Sequence, residues 1–175
     1  MSALTGCRSG GRTGARGAMY ILYTLLAACA TAPTPRLSGP LRSQLRPLLG
    51  DWRCAGKDSA QSRWSFAPDL GGAFVLARYQ QQGPEALLVA GHIGWDEDAE
   101  RLFETLSASD GTSESGSAGD WDGDELVFSA TLRDGDRRLQ LRRVFRTTPQ
   151  GFDWRLEVQQ DKEWSPAVEE SCSRE

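Results

Sequence analysis

Few residues in this chain have the type and spacing for chemistry. The sequence has 175 residues and one histidine, His92. On period-two spacing His92 shares a face with Leu88 and Ala90 and opposes Leu87, Val89 and Ile93. A general acid or base needs an oriented partner, and no nucleophile stands near it in sequence. A lone histidine of this sort is most often a hydrogen-bonded structural residue; the other readings are a polar group lining a pocket, or a base. Arg143 interrupts the apolar face of Leu139, Leu141 and Phe145. Either it points inward, as a candidate anchor for an anionic head group, or a bulge switches the faces. Asp120-Trp121-Asp122-Gly123-Asp124-Glu125 superficially suggests a calcium loop. That motif needs acids at alternate positions, Gly at the sixth and a distant Glu. Here Gly is fourth and Trp second, so the segment reads as a solvated hairpin turn, and no metal is expected. Asp96, Asp98 and Glu100 read as turn acids in the same way.

The elements that would hold these residues are strands. From Leu48 onward the pattern has period two, with turn signals every eight to twelve residues. The spacing predicts strands at 49–57, 61–67, 72–81, 86–95, 100–107, 111–120, 124–132, 137–147, 151–160 and 163–173. Phe152-Asp153-Trp154-Arg155-Leu156-Glu157-Val158 alternates most clearly. Asp122-Gly123 and Asp134-Gly135 supply the positive φ that tight hairpins need. Successive hairpins without helical crossovers give an antiparallel up-and-down sheet, all-β, which manages its edges best by closing into a barrel of about eight to ten strands. Ser107 to Gly119 is rich in small residues. It reads as a loop at a barrel mouth, or as a weak strand whose small residues permit close backbone approach. The aromatic residues Trp64, Phe66, Phe74, Tyr79, Phe128, Phe145 and Trp154 read as core.

Composition narrows the function classes. The chain is 39% apolar and 25% charged, which is ordinary for a folded domain, and its net charge of −4 argues against a nucleic-acid partner. No apolar stretch reaches the length of a membrane-spanning helix. One histidine leaves little material for triads or multi-histidine metal sites.

The start of the chain reads as an address. Residues 1–17 carry Arg8, Arg12 and Arg16 and no acid, and an apolar run from Ala18 to Ala28 precedes Cys29. That is the layout of a secretory signal. Leu26-Ala27-Ala28-Cys29 resembles the bacterial lipobox. The resemblance implies cleavage before Cys29 and lipidation of Cys29. With no Asp after the cysteine, it implies residence in the bacterial cell envelope, on the outer membrane facing the periplasm. Residues 1–28 are then the signal peptide, 29–47 a proline-containing lipid-anchored linker, and 48–175 the barrel domain. Leu41 to Leu49 could form a short helical turn. Without its first 28 residues the chain keeps 17 basic and 24 acidic residues, a net of −7. Such a body should hang from an anionic membrane by its anchor and not lie on it.

Cysteine usage is consistent with closure. Cys7 leaves with the signal and Cys29 takes the lipid, so Cys54 and Cys172 remain. They lie in the first and last strands, which are neighbours if the barrel closes, and a disulfide across the seam is expected. Two free buried thiols or a metal pair are the alternatives; two Cys without other soft ligands make a poor zinc site.

Leu49-Gly50-Asp51-Trp52 resembles the Gly-x-Trp opening of lipocalins and other calycins. The resemblance implies that Arg174, near the chain end, stacks on Trp52 and closes the barrel bottom. Three further segments resemble a bacterial calycin-like domain family of unknown function: Gly91-His92-Ile93-Gly94-Trp95-Asp96; Ser109-Asp110-Gly111 with Gly119-Asp120-Trp121-Asp122-Gly123; and Trp164-Ser165-Pro166 with Ser171-Cys172-Ser173-Arg174. The resemblance covers roughly 48–174 and implies a lipocalin-like barrel without supplying a reaction. Related barrels that bind haem use a late histidine ligand. None follows His92, so no cofactor is expected.

The leading expectation is therefore a non-enzymatic, monomeric envelope lipoprotein whose barrel holds a small apolar or amphipathic ligand. His92, Arg143, Phe128 and Trp154 are the candidate ligand-binding residues. The alternatives are a structural or interaction lipoprotein with a filled barrel, and an enzyme with a pocket near His92. Which applies turns on whether the interior is hollow.

Overall fold

The computed structural model describes residues 37–56, 61–83 and 86–175. The expected signal peptide, Cys29 and the first part of the linker lie outside the described residues.

Ten strands follow one another: β1 (Gly50–Gly56), β2 (Gln61–Asp69), β3 (Phe74–Gln81), β4 (Leu88–Asp96), β5 (Arg101–Ala108), β6 (Ser113–Ala118), β7 (Glu125–Asp134), β8 (Arg137–Thr148), β9 (Gly151–Gln160) and β10 (Glu163–Arg174). Each pairs antiparallel with the next, and β10 returns to pair with β1. The result is a closed up-and-down barrel of the lipocalin-like kind. All ten expected strands are present, because alternation is a local signal that survives tertiary packing. In β5, for example, Leu102, Glu104 and Leu106 point inward and are buried, while Arg101, Thr105 and Ser107 are exposed. The turns follow their sequences: Gly135 takes φ +57 between β7 and β8, and Asp161-Lys162 takes φ +48 and +70 between β9 and β10. Pro166 sits where the register shifts between Pro166 and Val168, the kind of irregularity at which a strand tolerates proline.

The small-residue segment resolves into a strand and a turn. Ser113–Ala118 forms β6, and the Asp110 carboxylate accepts the Thr112 backbone N–H at 2.9 Å before it. Gly116 is required there: a Cβ would stand 2.6 Å from the Ala130 methyl on β7.

One barrel end is plugged. A helix α1 (Gly39–Leu45) starts with a proline in its first turn, where the missing N–H costs nothing. Leu41, Leu45 and the following Leu48 are fully buried in the same cluster as Trp52, Phe66 and Phe152. Residues 39–47 were expected as linker; they are part of the folded unit, because their leucines have an apolar barrel end to cover. The Gly119–Gly123 motif holds this helix. Trp121 donates its indole N–H to the Gln44 carbonyl at 2.7 Å, and the Gln44 amide donates to the Asp120 carboxylate.

The seam joins β1 to β10. Cys54 and Cys172 are register partners with Cα atoms 4.0 Å apart, bridged by a disulfide. Two residue pairs closer to the plug, Trp52 faces Arg174, whose guanidinium lies 4.5 Å from the ring centroid. Gly50 takes φ +116 and leaves the space that the Arg174 guanidinium fills. Trp52 also donates its indole N–H to the Leu48 carbonyl at 2.7 Å, tying the seam to the plug. The bridge spans 118 residues of sequence, and a loop of that size restricts the unfolded chain by about 4–5 kcal/mol in the chain-entropy account. The Cys54→Ala/Cys172→Ala variant is expected to lose about 2–5 kcal/mol of unfolding free energy in urea. An unchanged midpoint would show that the seam stands without the bridge.

Candidate functional site

Above the plug the barrel is hollow. A cavity of about 230 Å3 opens at the end opposite α1. Its walls come from the far ends of the strands and include Val89, Leu106, Leu132, Leu139, Leu141, Leu156 and Val158. These residues sit on the inner face for the same reason as the plug residues: they hold the inward phase of each strand's alternation. Asp110, Thr112 and Ser113 line the cup from the turn between β5 and β6. The cavity is small beside the roughly 300–1,000 Å3 of drug-sized sites.

The floor between plug and cup is polar and aromatic. Arg143 does point inward, without a face-switching bulge, and is 4% exposed. Its Nη1 donates to both oxygens of Glu104 at 2.8 Å, and its Nη2 donates to Glu114 Oε2 at 2.7 Å. Both acids are buried, at 2% and 7% exposure. Burial pushes the Glu104 carboxyl up to about 7; the Arg143 charge opposes the shift and the Glu114 charge adds to it. Burial works against the Arg143 cation, but the two carboxylates outweigh it and hold its pKa above the usual value. Three atoms of this floor lack a hydrogen-bond partner among the described residues: Glu114 Oε1, Arg143 Nε and Trp64 Nε1.

Beside this trio lies a second buried acid. Glu170 Oε2 accepts from the Ser62 hydroxyl at 2.6 Å and from the Trp154 indole at 2.8 Å, and Oε1 takes a longer contact of 3.4 Å from the Tyr79 hydroxyl. Burial, then the Glu170 charge, push the Tyr79 phenol up to about 12. Trp64, Tyr79 and Trp154 pack on one another with centroids 5.1–5.4 Å apart, and all three line the cup.

The four candidate ligand-binding residues do not all meet. Arg143 and Trp154 converge on the cup floor. Phe128 is inside but fully buried below the floor, against Phe145, so it belongs to the plug side. His92 stands on the outer face, half-exposed, with Nε2 2.9 Å from Asp69 Oδ2. The alternation already implied this, since Val89 and Ile93 face inward. The His92 contact, with the Leu70 backbone N–H, holds the Asp69 carboxyl below the usual carboxylate range. The residues missed in sequence are Glu104, Glu114 and Glu170. Leu102-x-Glu104-x-Leu106 was the available signal, because it places an acid on a buried face. Arg143 is consequently not a free anchor for an anion: both of its Nη groups are taken by carboxylates, which leaves only Nε without a partner.

No family model matches the chain, and no curated protein matches it. The barrel alone therefore bears on the resemblance to calycins.

Removing the cation of the trio would leave two buried carboxylates facing each other. Arg143→Met is expected to cost about 3–5 kcal/mol in urea unfolding at neutral pH. A loss under 1 kcal/mol would show that the trio does not hold the floor.

Proposed function

We propose that this protein is a small-ligand-binding barrel of the calycin-like kind, carried on a bacterial envelope lipoprotein. The observation that carries the binding part is the hollow, apolar-walled cup above a polar floor. A barrel that served only as a scaffold would gain stability by filling that volume with side chains, as the plug end does. The apolar walls favour a molecule with an apolar body. Binding to such a cup requires neither metal nor prosthetic group.

The lipoprotein part rests on the basic, apolar and Leu26-Ala27-Ala28-Cys29 sequence of the first 29 residues. Leu37 and α1 pack at the plugged end, opposite the cup, which suits attachment of a tether there. The disulfide fits an oxidising compartment such as the periplasm. In this reading the partners are the membrane, through the lipid, and the small ligand; the protein acts as a monomer on the outer membrane, facing the periplasm.

Two measurements test these parts separately. The uncharged dye N-phenyl-1-naphthylamine is expected to brighten on titration with the protein, and Val158→Trp, which fills the cup, is expected to abolish the signal. Dye that stays dark with the folded wild-type protein would leave the filled-scaffold reading in its place. In a bacterial host, Cys29→Ala is expected to move the protein from the membrane fraction to the soluble periplasm. Retention in the membrane fraction would refute lipid anchoring at Cys29.

A further inference from the structure

The cup is not electrically neutral at its floor. Its lining holds two acids, Asp110 and Glu114, and one cation, Arg143. That cation bonds both Glu104 and Glu114, so the trio has more carboxylate than guanidinium. Glu170, behind Trp154, adds another carboxylate whose bonded donors in the structure are the neutral Ser62, Trp154 and Tyr79. Glu114 is more than nine-tenths buried, and its Oε1 has no donor. Burial raises the Glu104 carboxyl, and the Glu114 charge beside it adds to the rise. At the same level, Trp64, Tyr79 and Trp154 present aromatic rings, whose faces attract cations.

We infer that the cup selects a protonated amine with a short apolar tail, its ammonium group seated at Glu114 between the aromatic rings and its tail along the leucine and valine walls. This inference rests on the reading of the cup as a ligand site. Two donors, Trp64 Nε1 and Arg143 Nε, also lack acceptors. A carboxylate head would answer them, but it would place another anion beside Glu104 and Glu114 in a region of low dielectric. Like-charge repulsion there outweighs two hydrogen bonds to neutral or already compensated donors. An ammonium group supplies the missing positive charge and the missing donor together.

The test compares three molecules with the same chain: octylamine, octan-1-ol and octanoate, at pH 7 and low salt, on the folded wild-type protein. The readout is the titration of the Trp64 and Trp154 indole N–H signals in nitrogen–proton correlation spectra. Octylamine is expected to bind at least tenfold more tightly than octan-1-ol, with octanoate the weakest. Glu114→Gln is expected to weaken octylamine at least tenfold and leave octan-1-ol unchanged. Asp110→Asn, at the exposed turn, serves as a second charge-removing variant if Glu114→Gln does not fold, and is expected to weaken octylamine severalfold. Octanoate binding as tightly as octylamine, or octan-1-ol equalling it, overturns the amine inference while the cup remains a ligand site. Failure of all three to bind, with N-phenyl-1-naphthylamine still bound, does the same. Loss of the dye signal as well overturns the cup reading itself. Octylamine binding equally to the filled-cup variant Val158→Trp would show an amine held by the acidic surface, and would also overturn the inference.

Discussion

A sheet of ten strands has two raw edges unless its first and last strands meet, and this molecule depends on that meeting. Strand β1 supplies one side of the backbone pairing at the junction. Its backbone pairs with β10 from Trp52–Arg174 to Gly56–Glu170. Its Cys54 carries the covalent link, and its Trp52 carries both the Arg174 contact and the bond to Leu48 that fastens the plug. The same closure makes the cup: only a closed ring turns inward-facing Leu, Val and Trp residues from seven strands into a common wall. An open sheet with this pattern would expose an apolar face and two pairing edges, which is a route to aggregation.

The interior is layered, and the layers have opposite energetics. The plug layer is apolar and aromatic, with Phe66, Phe145 and Phe152 packed edge-on at 5.7–6.4 Å. Its burial is favourable without conditions. The floor layer takes charges out of water, which is favourable only while every group is matched. Replacing a buried ion trio by apolar side chains is often neutral or stabilising. Stability therefore gives a weak reason for Arg143, Glu104 and Glu114 to be where they are. Their position at the base of a hollow cup gives a stronger one, because a charged floor distinguishes ligands that apolar walls alone would accept equally.

How much could be read from the sequence follows from how local each signal is. The strands were legible because period-two alternation and Asp-Gly turns are set by neighbours in the chain. The Cys54–Cys172 bridge and the Trp52–Arg174 contact followed once closure was assumed, since both pairs then fall on adjacent strands. A short helical turn is legible at Leu41 to Leu49 and α1 overlaps it, but its role as a plug is not, because three leucines among prolines show no face until a barrel end is present to receive them. Arg143 was legible as an inward residue, but its partners were not: Glu104 and Glu114 lie 39 and 29 residues away, on strands across the interior. Without them, an inward arginine looks like an anion anchor; with them, it is a cation already spent. His92 reads first as a hydrogen-bonded structural residue, and its bond to Asp69 is of that kind. Its place among the ligand-binding candidates fails, because the strand's phase puts it on the outer face.

The order of the layers also fixes how an amphipathic molecule can lie in the cup. The polar floor is at the blind end, against the plug, and the apolar walls rise from it toward the mouth. A head group left at the mouth would keep its water but leave the floor's unpartnered Glu114 oxygen unanswered, with an apolar tail pressed onto buried charge. The reverse orientation satisfies both ends: the head meets the carboxylate and the aromatic rings, and the tail meets leucine and valine. At the mouth the rim is mixed, with Leu132 and Leu139 standing opposite the polar Asp110, Thr112 and Ser113. A tail longer than the cavity meets those polar groups, so the floor selects the head while the rim limits the tail.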